Sequence, residues 1–225
     1  MDFSFGIITN GDNDNYINQI IDSIEIQNIP KYEIIIVGNT TVSRINTTIV
    51  PFDESVKSMW ITKKKNLITL NAKYENLVFL HDYISLTDGW YEGFVSFGDD
   101  FKVCMTKIIN IDGTRFRDWT LMPRLFQHRL PNREYLLPYT TTHLSKYMYI
   151  SGAYWIAKRN VMLEEPLNES LIWGQAEDSE WSSRISTKYN FSINTKSTAK
   201  VIKPNKPAVF IECSDSSMEL LNNLN

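Results

Sequence analysis

Two short apolar runs, Tyr32 to Val37 (YEIIIV) and Leu77 to Leu80 (LVFL), constrain the fold of this chain more than any other feature. Neither alternates apolar with polar residues, so each reads as a strand covered on both faces, the pattern of a parallel sheet. Parallel neighbours need crossovers, and the sequence supplies them. Phe3 to Thr9 reads as a first strand ending in the turn cluster Asn10 to Asp14. Ile17, Ile20, Ile21 and Ile24 then recur at i, i+3, i+4, i+7, an amphipathic helix that Pro30 is expected to stop.

The rhythm continues with a short strand at 59–61, a basic turn Lys63-Lys64-Lys65-Asn66, a helix over 67–73 and the Leu77 strand. A helix over 89–97 and a strand over 102–106 follow. Strand–helix alternation predicts right-handed βαβ units in an open, mostly parallel central sheet flanked by helices, an α/β fold. Ligands of such sheets lie beyond the carboxyl ends of the strands. Thr9, Asn39, the lysine turn and His81-Asp82-Tyr83 are therefore the positions to watch.

Residues 110–147, rich in Arg, Pro, Thr and Tyr, break this rhythm. A stretch of that kind in a compact domain is usually functional or mobile, and its Arg115 to Arg133 part is a candidate lid or acceptor wall. Regular structure is expected again as one strand over 147–157 with Gly152 in its middle, then a helix over 159–164 and a loop Leu171 to Gly174. A helix from about 176–178 to 187 and two short strands, 191–194 and 199–202, complete the pattern.

The composition excludes several classes. With 225 residues the chain suits one domain able to hold its own core. Its 23 basic and 26 acidic residues give a formal net charge of −3, which leaves no basic excess for nucleic acid. Cys104 and Cys213 match no metal spacing and read as apolar fillers of a reduced, cytoplasmic chain. There is no signal-peptide pattern and no run of about 18 apolar residues to cross a bilayer. The G-x-G-x-x-G of dinucleotide-binding domains is missing after the first strand, where TNGDNDN stands instead, and no P-loop lysine motif is present. A G-T-R at Gly113 to Arg115 lies mid-chain, too late for the sugar-nucleotide pyrophosphorylase signal.

Two segments carry the chemistry. KKKNLITLNAKYENLVFLHDYI (63–84) joins a basic turn to a buried strand with a carboxylate past its end. WGQAEDSEW (173–181) joins a Trp-Gly turn to paired acids at a helix start. In this order and spacing they resemble the GT-A glycosyltransferases, especially inverting family-2 and β-galactosyltransferase-like members, over roughly residues 3–187. The resemblance implies a single GT-A-like domain with a nucleotide-sugar-binding half (1–107) and an acceptor half with a C-terminal tail (108–225). It implies transfer of a sugar from a nucleoside-diphosphate donor to a glycan, lipid-linked or other hydroxyl acceptor.

It further implies that Thr9 and Asn39 flank the nucleoside, and that Lys65 and Asn66 lie near the ribose and diphosphate. His81-Asp82-Tyr83 stands in the place of a DxD motif, with Asp82 the one acid left to hold a divalent cation such as Mn²⁺ or Mg²⁺. No histidine follows Asp178 to complete a metal set; the three present are His81, His128 and His143. Asp178 is implied as the base and Glu177 as an acceptor clamp, with Trp173 and Trp181 as sugar platforms and Gly152 where backbone passes close to the donor sugar. Read without the resemblance, Asp82 caps a turn, the lysines form a solvated turn, the two acids start a helix and the tryptophans pack the core. The other classes that fit are a catalytically silent nucleotide- or sugar-binding module and a sugar-phosphate nucleotidyltransferase.

Overall fold

The computed structural model describes residues 1–121, 135–204, 211–214 and 218–219. His128 and most of the expected lid lie outside them.

The N-terminal alternation is present. Strands β1 (Phe3–Ile8), β2 (Tyr32–Val37) and β4 (Asn76–His81) run parallel, with β3 (Thr47–Val50) added at the edge. The chain continues through β5 (Ile84–Leu86), β6 (Val103–Ile109), β10 (Tyr154–Lys158) and β11 (Phe191–Val201). These close an eight-stranded sheet of order β3-β2-β1-β4-β10-β6-β11-β5. Only β10 and β5 run against the other strands. A second sheet of two-residue strands, β7 (Thr120–Leu121), β8 (Tyr135–Leu136), β9 (Met148–Tyr149) and β12 (Ile211–Glu212), has the order β12-β8-β7-β9.

Strands β1, β4 and β10 are buried along their whole length, so both faces of the middle of the sheet are covered, while the edge strand β3 is partly exposed. Helix α1 (Asp14–Glu25) buries Ile17, Ile20, Ile21 and Ile24, the stripe read from the sequence. It ends before Pro30, at a turn where Asn28 takes φ 53. Helix α3 (Trp90–Phe97) sets Trp90 and Phe94 against Phe3 and Trp90 against Phe5, with ring centroids 5.2 to 5.6 Å apart. Successive strand residues face opposite ways, so Gly6 opens onto the other face, where helix α2 (Ile61–Asn71) lies.

Helix α2 corrects the sequence reading. The expected strand at 59–61 is absent, and the lysines are not a turn but the first turns of the helix. Ile61, Lys64, Lys65 and Ile68 follow the i, i+3, i+4, i+7 spacing and are all buried, so two lysines share the helix's inward face with two isoleucines. The apolar stripe is interrupted by charge, and its period is hidden from a reading by hydropathy.

Further corrections fall in the C-terminal half. The strand expected over 147–157 is two, β9 and β10, separated by a tight turn at Ser151 to Ala153. The two strands expected over 191–202 are one, β11, whose register against β6 shifts between Asn194 and Thr198. Helices α4 (Arg159–Glu164) and α5 (Glu177–Ile185) lie where the sequence put them. The D-G-T-R stretch is a local turn, with Asp112 accepting from the Thr114 amide and hydroxyl.

Close approach of α2 to β1 depends on Gly6. A Cβ there would sit 2.2 Å from Cγ2 of Ile68. Gly6→Val is expected to cost about 1–3 kcal/mol by overpacking, read as a lower urea midpoint. Adding Ile68→Ala should recover part of the loss, because the two sites share one volume.

Candidate functional site

A cleft of about 390 Å³ opens beyond the carboxyl ends of β1 and β4, where an open α/β sheet is expected to bind its ligand. Thr9 and Asn10 from β1, and His81, Asp82 and Tyr83 from β4, line one side. Met59, Ile61 and Lys64 come from the start of α2, and Trp173 and Lys203 come from the C-terminal half.

Asp82 is held by neutral donors. Its Oδ2 accepts from Thr9 Oγ1 at 2.8 Å and from Asn13 Nδ2 at 2.9 Å. Lys64, almost wholly buried, donates to the Thr9 carbonyl at 2.8 Å and to Asn10 Oδ1 at 3.3 Å, and pairs with Glu54. Tyr83 keeps its proton, its phenol pushed up to about 12 by burial. Lys64 and Lys203 are the cleft's two cations among the described residues. Nothing in the sequence singled out Lys203, which follows the last residues of β11 on a polar tail.

Asp82 is the one carboxylate on the cleft wall among the described residues. A hard divalent cation at a diphosphate takes one or two protein carboxylates and fills its other positions with phosphate and water oxygens. Among the described residues no three of His, Cys, Asp and Glu are grouped to hold an ion, and Asp82 spends one oxygen on two hydrogen bonds. These residues do not fit a metal held by the protein alone.

Beside the cleft, across the β4–β10 pair, lies a second cluster. The His81 amide donates to the Ala153 carbonyl at 2.9 Å, which fixes the Ser151–Ala153 turn against the end of β4. Glu177 and Asp178, the first residues of α5, come up to that turn, and both are more than nine-tenths buried. Asp178 Oδ2 accepts from the Gly152 amide at 3.2 Å, and its Oδ1 accepts from Ser179 N at 2.8 Å. A Cβ on Gly152 would stand 3.0 Å from Asp178 Oδ2 and 3.3 Å from Glu177 Oε1. The turn ahead of α5 is strained, with Ala176 at φ 56 after Gly174 at φ 81, a conformation costly for a residue with a Cβ.

Arg117 reaches the same acids, its Nη2 3.7 Å from Asp178 Oδ2 and its guanidinium over the Tyr149 ring. It is aimed by its neighbour. Buried Asp118 accepts from the Ile108 amide, the Tyr139 hydroxyl and Arg115 Nε at 3.1, 2.7 and 2.9 Å, and so fastens the segment to β6. The sequence marked this stretch only as a candidate lid or acceptor wall.

The charges act on one another. Burial, then the neighbouring Asp178, raises the Glu177 carboxyl above its ordinary value. Burial, then Lys65, Lys64 and Arg117, holds His81 neutral, well below its usual range. Lys65 is fully enclosed. It donates to the Gly152 carbonyl at 2.7 Å, lies 4.6 Å over the Trp155 ring, and is pushed down to about 8 by burial against the pull of Glu177 and Asp178.

The expected site residues therefore divide. Thr9, His81, Asp82 and Tyr83 meet in the cleft; Gly152, Glu177 and Asp178 meet beside it. Lys65 belongs with the acids and does not line the cleft. Asn66 turns away, its amide spent on Leu167 and Glu169. Asn39 is exposed past β2 and lines no part of the cleft. Trp173, 57% exposed, stands on the cleft rim with its amide bonded to the Met59 carbonyl. The expectation for Trp181 as a sugar platform is corrected. It is wholly buried, donates to the Glu165 carbonyl and packs on Trp155, so it has no face to offer.

This is the GT-A fold, and the chain's structural neighbours are glycosyltransferases. S. aureus TarS (residues 1–349) superposes with a TM-score of 0.63 at 15% identity, over 91% of this chain and 61% of that one. The same protein in complex with UDP-GlcNAc gives 0.62 over 98% and 65%. GalNAc-T7 with UDP, GalNAc and Mn²⁺ gives 0.62 at 10% identity, over 98% and 47%. The chain thus spans less than two thirds of these neighbours' length. No family model matches the sequence, and neither does any curated protein.

Enclosing Lys65 has a cost with a definite pH dependence. A lysine whose pKa falls on folding penalises the folded state fully below the folded value, and the penalty fades as pH rises from about 8 to its ordinary value of 10.5. Lys65→Met should therefore be more stable than wild type to denaturant at pH 7. The gap should shrink by pH 10.5.

Proposed function

We propose that this protein transfers a sugar from a nucleoside-diphosphate sugar to a hydroxyl acceptor, with inversion at the anomeric carbon. The observation that carries the reading is the juxtaposition itself. A cation-lined cleft at the ends of two parallel strands lies one strand pair away from a buried acid pair on a helix N-terminus.

The donor's nucleoside diphosphate would occupy the cleft, with Thr9, Asp82 and Tyr83 along its wall and Trp173 at the rim. Lys203 meets the charge that develops on the leaving diphosphate, with the buried Lys64 fixing the Thr9–Asn10 wall behind it. The sugar would point toward Gly152, whose missing side chain leaves room between donor and acids. Asp178 takes the proton of the acceptor hydroxyl as the acceptor oxygen bonds to C1. The C1–O bond to phosphate breaks on the opposite face, and the nucleoside diphosphate leaves with its electron pair. The helix N-terminus favours an ionised carboxylate in that role, and Glu177, with its raised proton affinity, donates to or orients the acceptor. The nucleotide half is residues 1–107 and the acceptor half the remainder. A GalNAc-T7 structure contains Mn²⁺; in this chain Lys203 carries the neutralisation, with Asp82 the one cleft carboxylate able to touch an added ion. No helix among the described residues is long and apolar enough to cross a membrane.

A second reading, a silent nucleotide- or sugar-binding module, is favoured by one observation: the carboxylate in the DxD position already accepts two hydrogen bonds from within the protein.

A thermal-shift screen against UDP, GDP, CDP and their sugars, with Mn²⁺ or with a chelator, tests the donor site. Binding to the native state raises the melting point by mass action, about 2.7 kcal/mol at a hundredfold excess over Kd. A shift with one diphosphate that survives chelation is the expected result. Asp178→Asn should lower turnover at least a hundredfold and leave that shift intact; loss of donor binding would contradict the role of base. Binding with no transfer or hydrolysis would leave the silent module standing.

A further inference from the structure

The acids at the head of α5 have a partner that the donor cleft does not use. Lys65 is 1% exposed and is absent from the cleft wall, although its neighbour Lys64 lines it. The Lys65 ammonium donates to the Gly152 carbonyl at 2.7 Å, and the Gly152 amide donates to Asp178 Oδ2 at 3.2 Å. One residue of backbone therefore joins a buried cation to a buried carboxylate. The His81 amide holds the Ala153 carbonyl at 2.9 Å, so the turn is gripped from α2 and β4 together. Nothing in this arrangement leaves Lys65 a path to a ligand. An ammonium sunk this far is costly unless its charge is used.

We infer that Lys65 is a positioning residue for the acid pair: it pins Gly152 so that the Gly152 amide faces Asp178, and its positive charge offsets that of the two carboxylates. This rests on the reading of Glu177 and Asp178 as the acceptor-side acids. It reverses the role that the sequence resemblance implies for Lys65, which is contact with the donor.

The groups facing Lys65 are Glu177 and Asp178 from α5, Arg117 from the segment after β6, His81 from β4 and Lys64 on its own helix. The two acids are the partners that attract it. Removing its charge shifts the balance of the pair toward protonation, and replacing it with arginine keeps a charge that no accessible pH removes.

The test is carboxyl ¹³C NMR titration of the full chain as wild type, Lys65→Met and Lys65→Arg, with Glu177→Gln to assign the resonances. The Met variant should bind the pair's first proton at least tenfold more tightly, and the Arg variant should stay within about threefold of wild type, since one pH unit corresponds to tenfold in proton affinity. Gly152→Ala, which pushes the Asp178 carboxylate off its amide donor, should raise proton affinity in the same sense. It serves as well if the Met variant does not fold. Unmoved titrations in both would overturn the inference.

Calorimetry with the nucleoside diphosphate found in the screen separates this from the function itself. Lys65→Met should leave its Kd within about threefold while kcat falls and the acid limb of the rate profile moves to higher pH. A tenfold loss of diphosphate affinity with kcat intact would make Lys65 a donor ligand and sink the positioning role. If no nucleotide binds wild type at all, the transferase reading fails; the NMR result then still decides whether Lys65 governs the acid pair.

Discussion

Much of this structure follows from the burial of two adjacent lysines on the inward face of one helix. A buried ammonium must find oxygen acceptors or it unfolds what encloses it. Lys64 finds them at the end of β1 and in Glu54; Lys65 finds one in the turn before β10 and has the charge of α5 nearby. Because they are successive residues, they point about 100° apart around the helix, one toward the cleft and one behind the acids. Helix α2 is thus the strut between the cleft side and the acid side. Gly6 lets it lie close enough to β1 for both lysines to reach.

The sheet provides the other half of the positioning. Strand β10 runs against both of its neighbours, so the beginning of β10 meets the end of β4. A residue just before β10 therefore stands beside a residue just after β4, and Gly152 comes next to His81 and Asp82. A parallel strand in that place would have carried its leading turn to the far edge of the sheet. The two acids then need only a short helix start at Gly152, and the strained Trp-Gly-Gln-Ala turn delivers it. Strain held at such a point is typical of sites whose geometry matters more than their stability.

Strands β1, β2 and β4 and helix α1 were legible nearly to the residue, whereas β3, β5 and the start of α2 were not. Strand β2 was read with its observed bounds and α1 with its observed buried face, because a parallel strand and an amphipathic helix each write an unambiguous hydropathy period. The place of Asp82 past a buried strand, and of Glu177 and Asp178 at a helix start, was legible for the same reason. What was not legible was the environment of each side chain. Lys64 and Lys65 read as a solvated turn because charge normally marks the surface. Trp181 read as a sugar platform because a sequence does not say which face of a helix is inward when both faces carry polar residues. Arg117 comes from a stretch marked only as a candidate lid or acceptor wall and Lys203 from a tail without a period, so neither residue was singled out by itself.

The sequence by itself determined the strand–helix alternation and, through it, the parallel core and the edge of the sheet where the cleft lies. Those depend on which residues avoid water, a property each residue carries with it. Only the tertiary structure decided that β10 enters the sheet backwards, that Gly152 is a tight turn and not mid-strand, and that Lys65 faces the acids instead of the cleft. These depend on contacts between residues up to about a hundred positions apart, as between Lys65 and Gly152 or Asn66 and Leu167. Their energies exist only once the chain has closed on itself.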